Sequence, residues 1–186
     1  MIGNRKENPL TRKPFNILLY NDCLQRFSEL YNDNKDILYK DDDNDNDDND
    51  KIRRTKSKIN NVICLLSQYG YNIDYKNICK MTVAQIVISY MGLLYLHSNI
   101  FSQEQREIFN ISGIIRQIEE TYNAMSGIDK FLNLLNLYEY MLNNPINECD
   151  KEQGALFIIC SLSQSLQSVK YLYPVVHGII PQPGNN

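Results

Sequence analysis

The side chains best suited to nucleophilic or metal chemistry are five cysteines and two histidines. Cys160, paired with His97 or His177, would supply a nucleophile and a base. Cys160, however, lies in the apolar run 156–162, where a thiol is typical of inert packing. The sequence contains no CxxC pair, and such closely spaced ligand pairs are typical of zinc sites. We therefore expect reduced thiols, no metal site and no cofactor, with cysteines at positions 23, 64, 79, 149 and 160.

Carboxylate chemistry has an equally thin basis. Glu119 and Glu120 are adjacent, and Glu107 and Asp129 lie nearby in sequence. A di-metal carboxylate site in a helical bundle would need a Glu-x-x-His spacing, which the sequence lacks. Phosphate-binding glycine loops, HExxH and GxSxG are also absent from the sequence. We predict a protein that is not an enzyme, and we assign no catalytic residue.

Tyrosine is the most frequent aromatic residue, with 13 copies against 6 phenylalanines and no tryptophan. Most of these tyrosines fall on apolar helix faces, where the ring packs and the hydroxyl stays at the rim. Two pairs stand instead at predicted helix ends. We expect these four residues to contact a protein partner: Tyr69, Tyr71, Tyr171 and Tyr173.

Two basic segments support an alternative hypothesis, association with nucleic acid. One is a flexible arm over residues 1–14, and the other spans residues 51–58. Against this, the net charge is −3 and the isoelectric point is near 5.4, whereas a dedicated nucleic-acid coat must be strongly positive. The cations of the two segments are Arg5, Lys6, Arg12, Lys13, Lys51, Arg53, Arg54, Lys56 and Lys58.

Residues 41–50 consist only of aspartate and asparagine. Charge repulsion and the lack of apolar side chains predict a solvated, disordered acidic loop. The run either binds a basic partner or is a tolerated low-complexity insertion, and the sequence leaves both open. Abundant asparagine, isoleucine and tyrosine, with alanine only at positions 84, 124 and 155, indicate an A/T-rich genome.

Apolar residues recur every three or four positions along most of the chain, which predicts amphipathic helices. One such helix covers residues 15–31. Another is predicted to begin at Thr55 as its N-cap and to end at Gly70. Later segments show the same stepping, and they span residues 102–123, 127–142 and 150–173.

Residues 83–96 are apolar on nearly every side and form the candidate central helix. Thr82 and Gln85 have the spacing of a capping box at its start, and Ser102 and Gln105 repeat that spacing. His97, at the end of this helix, is placed where a cation interacts favourably with the helix dipole. The apolar stretch 81–96 is shorter than the roughly 20 residues of a membrane span, so we predict no membrane span.

These patterns predict an all-α fold, a compact bundle of six or seven helices around residues 83–96. The bundle is expected as a single domain over residues 15–173, followed by an irregular Pro/Gly tail over 174–186. The polar N-terminus is not a signal peptide, so we expect a soluble, intracellular protein, cytoplasmic or nuclear.

An apolar central helix wrapped by amphipathic helices, with a long acidic loop after the first, resembles the Bcl-2-like bundle by analogy of fold only. The tryptophan-bearing motifs of that family are missing from this sequence. The analogy implies a groove that receives an amphipathic partner helix. We therefore expect a non-enzymatic interaction module, an adaptor or an assembly subunit.

Overall fold

The computed structural model describes residues 46–177 together with residues 38 and 179, and it confirms the predicted all-α bundle. The predicted helix over 15–31 and the basic arm over 1–14 lie outside these residues. Within them, nine α-helices follow one another, rather than six or seven: α1 (Asn46–Gln68), α2 (Tyr75–Cys79), α3 (Val83–Tyr95), α4 (Gln103–Phe109), α5 (Ser112–Thr121), α6 (Gly127–Asn143), α7 (Glu148–Ser163), α8 (Gln167–Leu172) and α9 (Pro174–His177).

The centre of the bundle is formed by α3, α6 and α7, which pack on one another, while α1 packs on α6. Ile86, Val87 and Leu93 of α3 are fully buried, as predicted for the central helix. The second half of α7 is enclosed to a similar degree, because every residue of 154–163 except Leu156 is buried. The core is therefore shared by α3 and α7.

By length and composition alone, the stretch Val83–Ile100 also qualifies as a candidate membrane span, with a mean hydropathy of 1.2 over 18 residues. Half of that stretch is buried inside the bundle. Core helices of soluble proteins meet the same criterion, so this stretch is weak evidence for a span.

Both predicted capping boxes are confirmed. The Gln85 backbone N–H donates to the Thr82 hydroxyl at 3.3 Å, and the Thr82 N–H donates to Gln85 Oε1 at 3.0 Å. Ser102 and Gln105 exchange the same two bonds at 3.1 and 2.9 Å. Each box satisfies two backbone donors that a helix start leaves without intrahelical partners.

The start of α1 differs from the prediction. The helix begins at Asn46, and Thr55 is a buried interior residue whose hydroxyl donates to the Lys51 carbonyl at 2.8 Å. The acidic loop predicted over 41–50 is therefore wrong for residues 46–50, which are helical. Asp50 pairs with Arg53 and Arg54 at spacings of three and four residues, and such pairs favour a helix over a loop here. Residues 41–45 lie outside the described part.

The helix predicted over 102–123 is broken in two. Asn110 adopts a left-handed conformation (φ 47°), which asparagine tolerates better than most residues, and its N–H donates to the Arg106 carbonyl at 2.9 Å. This residue ends α4, and α5 begins two residues later. Gly113 lies inside the first turn of α5 and does not interrupt it.

The helix predicted over 150–173 begins at Glu148 and is divided into α7 and α8 around residues 164–166. Pro174 then begins α9, because the first helical position needs no N–H donor. The prediction of an irregular tail over 174–186 is therefore wrong for residues 174–177.

Candidate functional site

Two of the tyrosines predicted to contact a partner contact each other. The rings of Tyr71 and Tyr173 meet edge to face, with centroids 5.3 Å apart. The Asn72 backbone N–H donates to the Tyr173 hydroxyl at 2.7 Å, and that hydroxyl donates to the Asn72 carbonyl at 3.4 Å. Tyr173 therefore fastens the corner between α8 and α9 to the loop that follows α1.

Tyr69 is engaged in a second intramolecular contact. Its hydroxyl donates to Glu148 Oε2 at 3.1 Å, which links the end of α1 to the start of α7. Desolvation and the Glu148 carboxylate raise the pKa of Tyr69, so its hydroxyl remains protonated as the donor. Lys151 and Tyr69 hydrogen-bond to Glu148 and lower the pKa of that carboxyl. Tyr69 holds two helices together, and its ring is half-buried.

Of the four tyrosines predicted to contact a partner, Tyr171 projects into solvent, with 83% of its surface exposed. Leu172 and Val175 beside it in sequence are 61% and 87% exposed. We name Tyr171, Leu172 and Val175 the C-terminal patch. Val169 and Val176, from the same two short helices, are buried, so the patch is the outer face of a packed corner.

Leu172 and Val175 were not predicted from the sequence as exposed residues. A signal was present, because the segment after Tyr173 is rich in proline yet contains two valines in succession. Burying Val176 leaves its neighbour Val175 on the outside. The other large apolar side chains that are exposed in the described chain, Ile100 and Ile146, have no such neighbour in sequence.

Two lysines of the basic block 51–58 join α1 to α6. Lys51 Nζ lies 3.3 Å from Asp129 Oδ1, and Lys58 forms an ion pair with Glu139. The Asn61 side-chain amide also donates to Glu139, at 3.3 Å. These cations are explained by the packing of two helices.

The two arginines of the block share one carboxylate within α1. Arg53 and Arg54 lie 2.7 and 2.9 Å from the oxygens of Asp50, at spacings of three and four residues. Lys56 is exposed. The carboxylate partners reduce the positive potential that the block offers to a phosphate backbone. The cations of the arm lie outside the described residues: Arg5, Lys6, Arg12 and Lys13.

The structure joins His97 to Ser112 rather than to Cys160. His97 Nε2 and the Ser112 hydroxyl oxygen are 3.0 Å apart. Burial, with the positive charge of Arg106 nearby, lowers the pKa of His97 to about 4, so the ring is neutral near pH 7. Burial raises the pKa of the Cys160 thiol to about 12, as expected of an inert packed thiol. The side chain of His177 lies outside the described part of the structure.

The expectation that His97 acts as a cation at its helix end is therefore wrong. The chain after α3 forms a π-helical turn, Leu96–Ile100, and the Arg106 guanidinium binds its carbonyl groups. Arg106 Nε donates to the His97 carbonyl and Nη2 to the Ser98 carbonyl, each at 3.1 Å. Arginine, which keeps its charge when desolvated, takes the role predicted for histidine.

The described residues offer little room for a small ligand. They contain no group of three or more histidine, cysteine, aspartate or glutamate side chains placed to hold a metal ion. A cavity of about 10 Å³ lies between α1, α2 and α6, which is space for about one water molecule. Ile59, Leu66, Met81 and Phe131 are among its lining residues, so it is a small apolar void in the core.

No family model, no curated protein and no solved structure matches this chain. The likeness to the Bcl-2-like bundle therefore stays an analogy of sequence pattern and supports no assignment.

Proposed function

We propose that this chain is a helical protein–protein interaction module, an adaptor or an assembly subunit, that binds its partner through the C-terminal patch. One observation carries the proposal. Three large apolar side chains, Tyr171, Leu172 and Val175, are all more than half exposed on one corner. Clustered exposed apolar surface is typical of an interaction site, whereas scattered single residues are not.

The corner that presents the patch is held in place by contacts within the chain. Tyr173 is held by both backbone groups of Asn72 and by the ring of Tyr71, and Val169 and Val176 are anchored in the core. A preorganised surface loses little conformational entropy on binding, so more of the contact free energy remains as affinity. Tyr71 and Tyr173 thus support the site by positioning it.

The occupant that fits best is the apolar face of a short amphipathic helix from another protein. A tyrosine buries about 150–250 Å² in a contact, so the three side chains together offer roughly 400 Å². A stable dimer of globular subunits needs about 800 Å² from each partner. The patch is therefore small for self-association, and its size suits the few anchor residues of one helix turn or two.

Patch variants of the full-length protein test the proposal. The double variant Y171S/V175S removes the apolar surface, and I146S is the matched control, because Ile146 is 94% exposed at a distant sequence position. Each protein is used as bait in the native cell lysate, and bound molecules are identified by mass spectrometry and nuclease treatment. We expect one protein at near-stoichiometric yield with wild type and I146S, reduced at least tenfold with Y171S/V175S.

Two results would count against the proposal. Equal recovery of the same proteins by all three baits would show that the patch is not the contact surface. Recovery of nucleic acid, by all three baits and in a salt-sensitive manner, would favour the alternative that uses the basic arm and the 51–58 block. Sedimentation of the wild-type protein alone as a dimer, and of Y171S/V175S as a monomer, would identify a second copy as the occupant.

A further inference from the structure

Within the part of the chain that the structure describes, the helix α5 has few buried side chains. Two of its ten residues, Ile115 and Ile118, are buried, whereas nine of the sixteen residues of α7 are buried. Within the described chain, the most extensive backbone contacts of α5 are with the 3-10 turn Tyr122–Ala124 that follows it. Segments with few buried apolar side chains open locally at low free energy.

The first attachment of α5 is at its N-terminal end, where Ser112 meets His97. The imidazole is 9% exposed and neutral, and its Nε2 lies 3.0 Å from the Ser112 hydroxyl oxygen. Ile111, the residue before the helix, provides no side-chain cap for the first-turn N–H groups. When α5 moves away, water hydrates the imidazole, which offsets part of the lost contact.

The second attachment is just past the C-terminal end of α5. Tyr122 stacks on Tyr90 of α3, with ring centroids 4.9 Å apart and planes 16° apart. Tyr90 is 3% exposed, yet its hydroxyl has no hydrogen-bond partner among the described residues. A buried hydroxyl without a partner destabilises the closed state, and that penalty disappears when water reaches it.

We infer that α5 is a strap that opens as a unit, pivoting away from α3 and exposing Tyr90 and His97 while α3, α6 and α7 stay folded. Both the His97–Ser112 contact and the Tyr90–Tyr122 stack involve buried polar groups that gain hydration on opening. The inference does not rest on the C-terminal patch. It gives the protein a second conformation, in which the side of α3 beneath α5 is accessible to solvent.

Hydrogen exchange of the full-length protein, read peptide by peptide at neutral pH, tests this inference. We expect amides of 115–121 to exchange at least a hundredfold faster than those of 158–162. Exchange in 115–121 should occur while the amides of 158–162 remain protected. Tyr90→Phe removes the hydroxyl without a partner, so it should slow exchange in α5 by roughly fivefold to tenfold. Tyr140→Phe removes one hydroxyl from α6 and is the matched control, which should leave α5 unchanged.

Ser112→Ala is the opposite test. It takes the hydrogen-bond partner from a buried imidazole, so exchange in α5 should become about tenfold faster while 158–162 is unaffected. Equal protection of α5 and α7 in the wild type would overturn the inference. So would acceleration of both helices together in Ser112→Ala, since that describes global unfolding. No effect of Tyr90→Phe on α5 would show that opening does not uncover Tyr90.

Discussion

The Tyr138 hydroxyl lies 2.7 Å from the Ser161 hydroxyl oxygen, in the fully buried space between α6 and α7. Ser161 in turn donates to the Ser89 carbonyl of α3 at 2.6 Å. The chain of bonds therefore runs from Tyr138 through Ser161 to Ser89 and joins all three central helices. Burial raises the pKa of Tyr138, so its hydroxyl is protonated near neutral pH and can donate to Ser161.

This relationship predicts that Ser161→Ala lowers the free energy of unfolding, although the substitution removes only one hydroxyl group. The variant leaves the Tyr138 hydroxyl without its acceptor inside the core, and a buried polar group without a partner costs about 1–3 kcal/mol. Urea denaturation measures the free energy of unfolding. The double variant Y138F/S161A removes both partners, so it should recover part of the loss; a neutral Ser161→Ala would contradict the network.

Two glycines provide a matched pair for core packing. A Cβ at Gly154 would lie 2.8 Å from the Met141 carbonyl oxygen and 3.2 Å from the Phe109 ring. Gly154→Ala should therefore destabilise the fold by about 1–3 kcal/mol, because backbone of α6 must move. A Cβ at Gly113 would have no atom within 4 Å, so Gly113→Ala should leave the free energy of unfolding unchanged or raise it slightly. Thermal unfolding of both variants checks the contrast, and equal midpoints would refute it.

The buried His97 predicts a loss of stability in mild acid. Its pKa is about 4 in the folded protein and near 6.5 when unfolded. Between these values the unfolded chain binds a proton that the folded protein does not, so the free energy of unfolding falls as pH falls from 6.5 to 4. The loss is up to roughly 3 kcal/mol at pH 4.

Urea denaturation at neutral pH and near pH 4.5 measures this loss for wild type and for His97→Gln. The difference between the two proteins isolates the imidazole, since carboxylates titrate in both. We expect a shallower decline with the variant. Parallel curves would mean that His97 is hydrated in the folded protein.

Thiol reactivity should follow burial. Cys64 and Cys149 are exposed, whereas Cys79 and Cys160 are buried. Alkylation of the native protein with iodoacetamide should therefore modify the first pair orders of magnitude faster, and urea should equalise the rates. Peptide mass spectrometry separates the sites. Rapid alkylation of Cys160 in the native protein would instead indicate an activated thiol and would favour the hypothesis of a cysteine nucleophile.

The sequence predicted what local geometry determines. Thr82 and Gln85, like Ser102 and Gln105, are three residues apart, and a helix start needs no distant partner to form a capping box. The apolar stepping along 127–142 likewise located α6 to within a residue. Helix type and existence were therefore predictable for segments whose pattern is strong.

The features that the sequence did not predict depend on contacts between different helices and loops. No sequence pattern indicates that Arg106 would donate to the carbonyl groups at the end of the helix while the His97 imidazole is buried. Tyr71 and Tyr173 were predicted as separate contacts, because their pairing joins positions about a hundred residues apart. The exposure of Leu172 and Val175 depends on how α8 and α9 lie on α7, which periodicity alone does not specify.

The two ion pairs between α1 and α6 also have a topological meaning. Lys51 precedes Lys58 as Asp129 precedes Glu139, so the two helices run in the same direction. Parallel neighbours cannot be joined by a short turn, and here the partners are separated by 81 residues at Lys58 and Glu139. During synthesis on the ribosome, α1 therefore emerges well before α6, the helix on which it packs. We therefore expect docking of α1 to be a late, loop-closing step of folding, during which its apolar face is exposed to misfolding contacts.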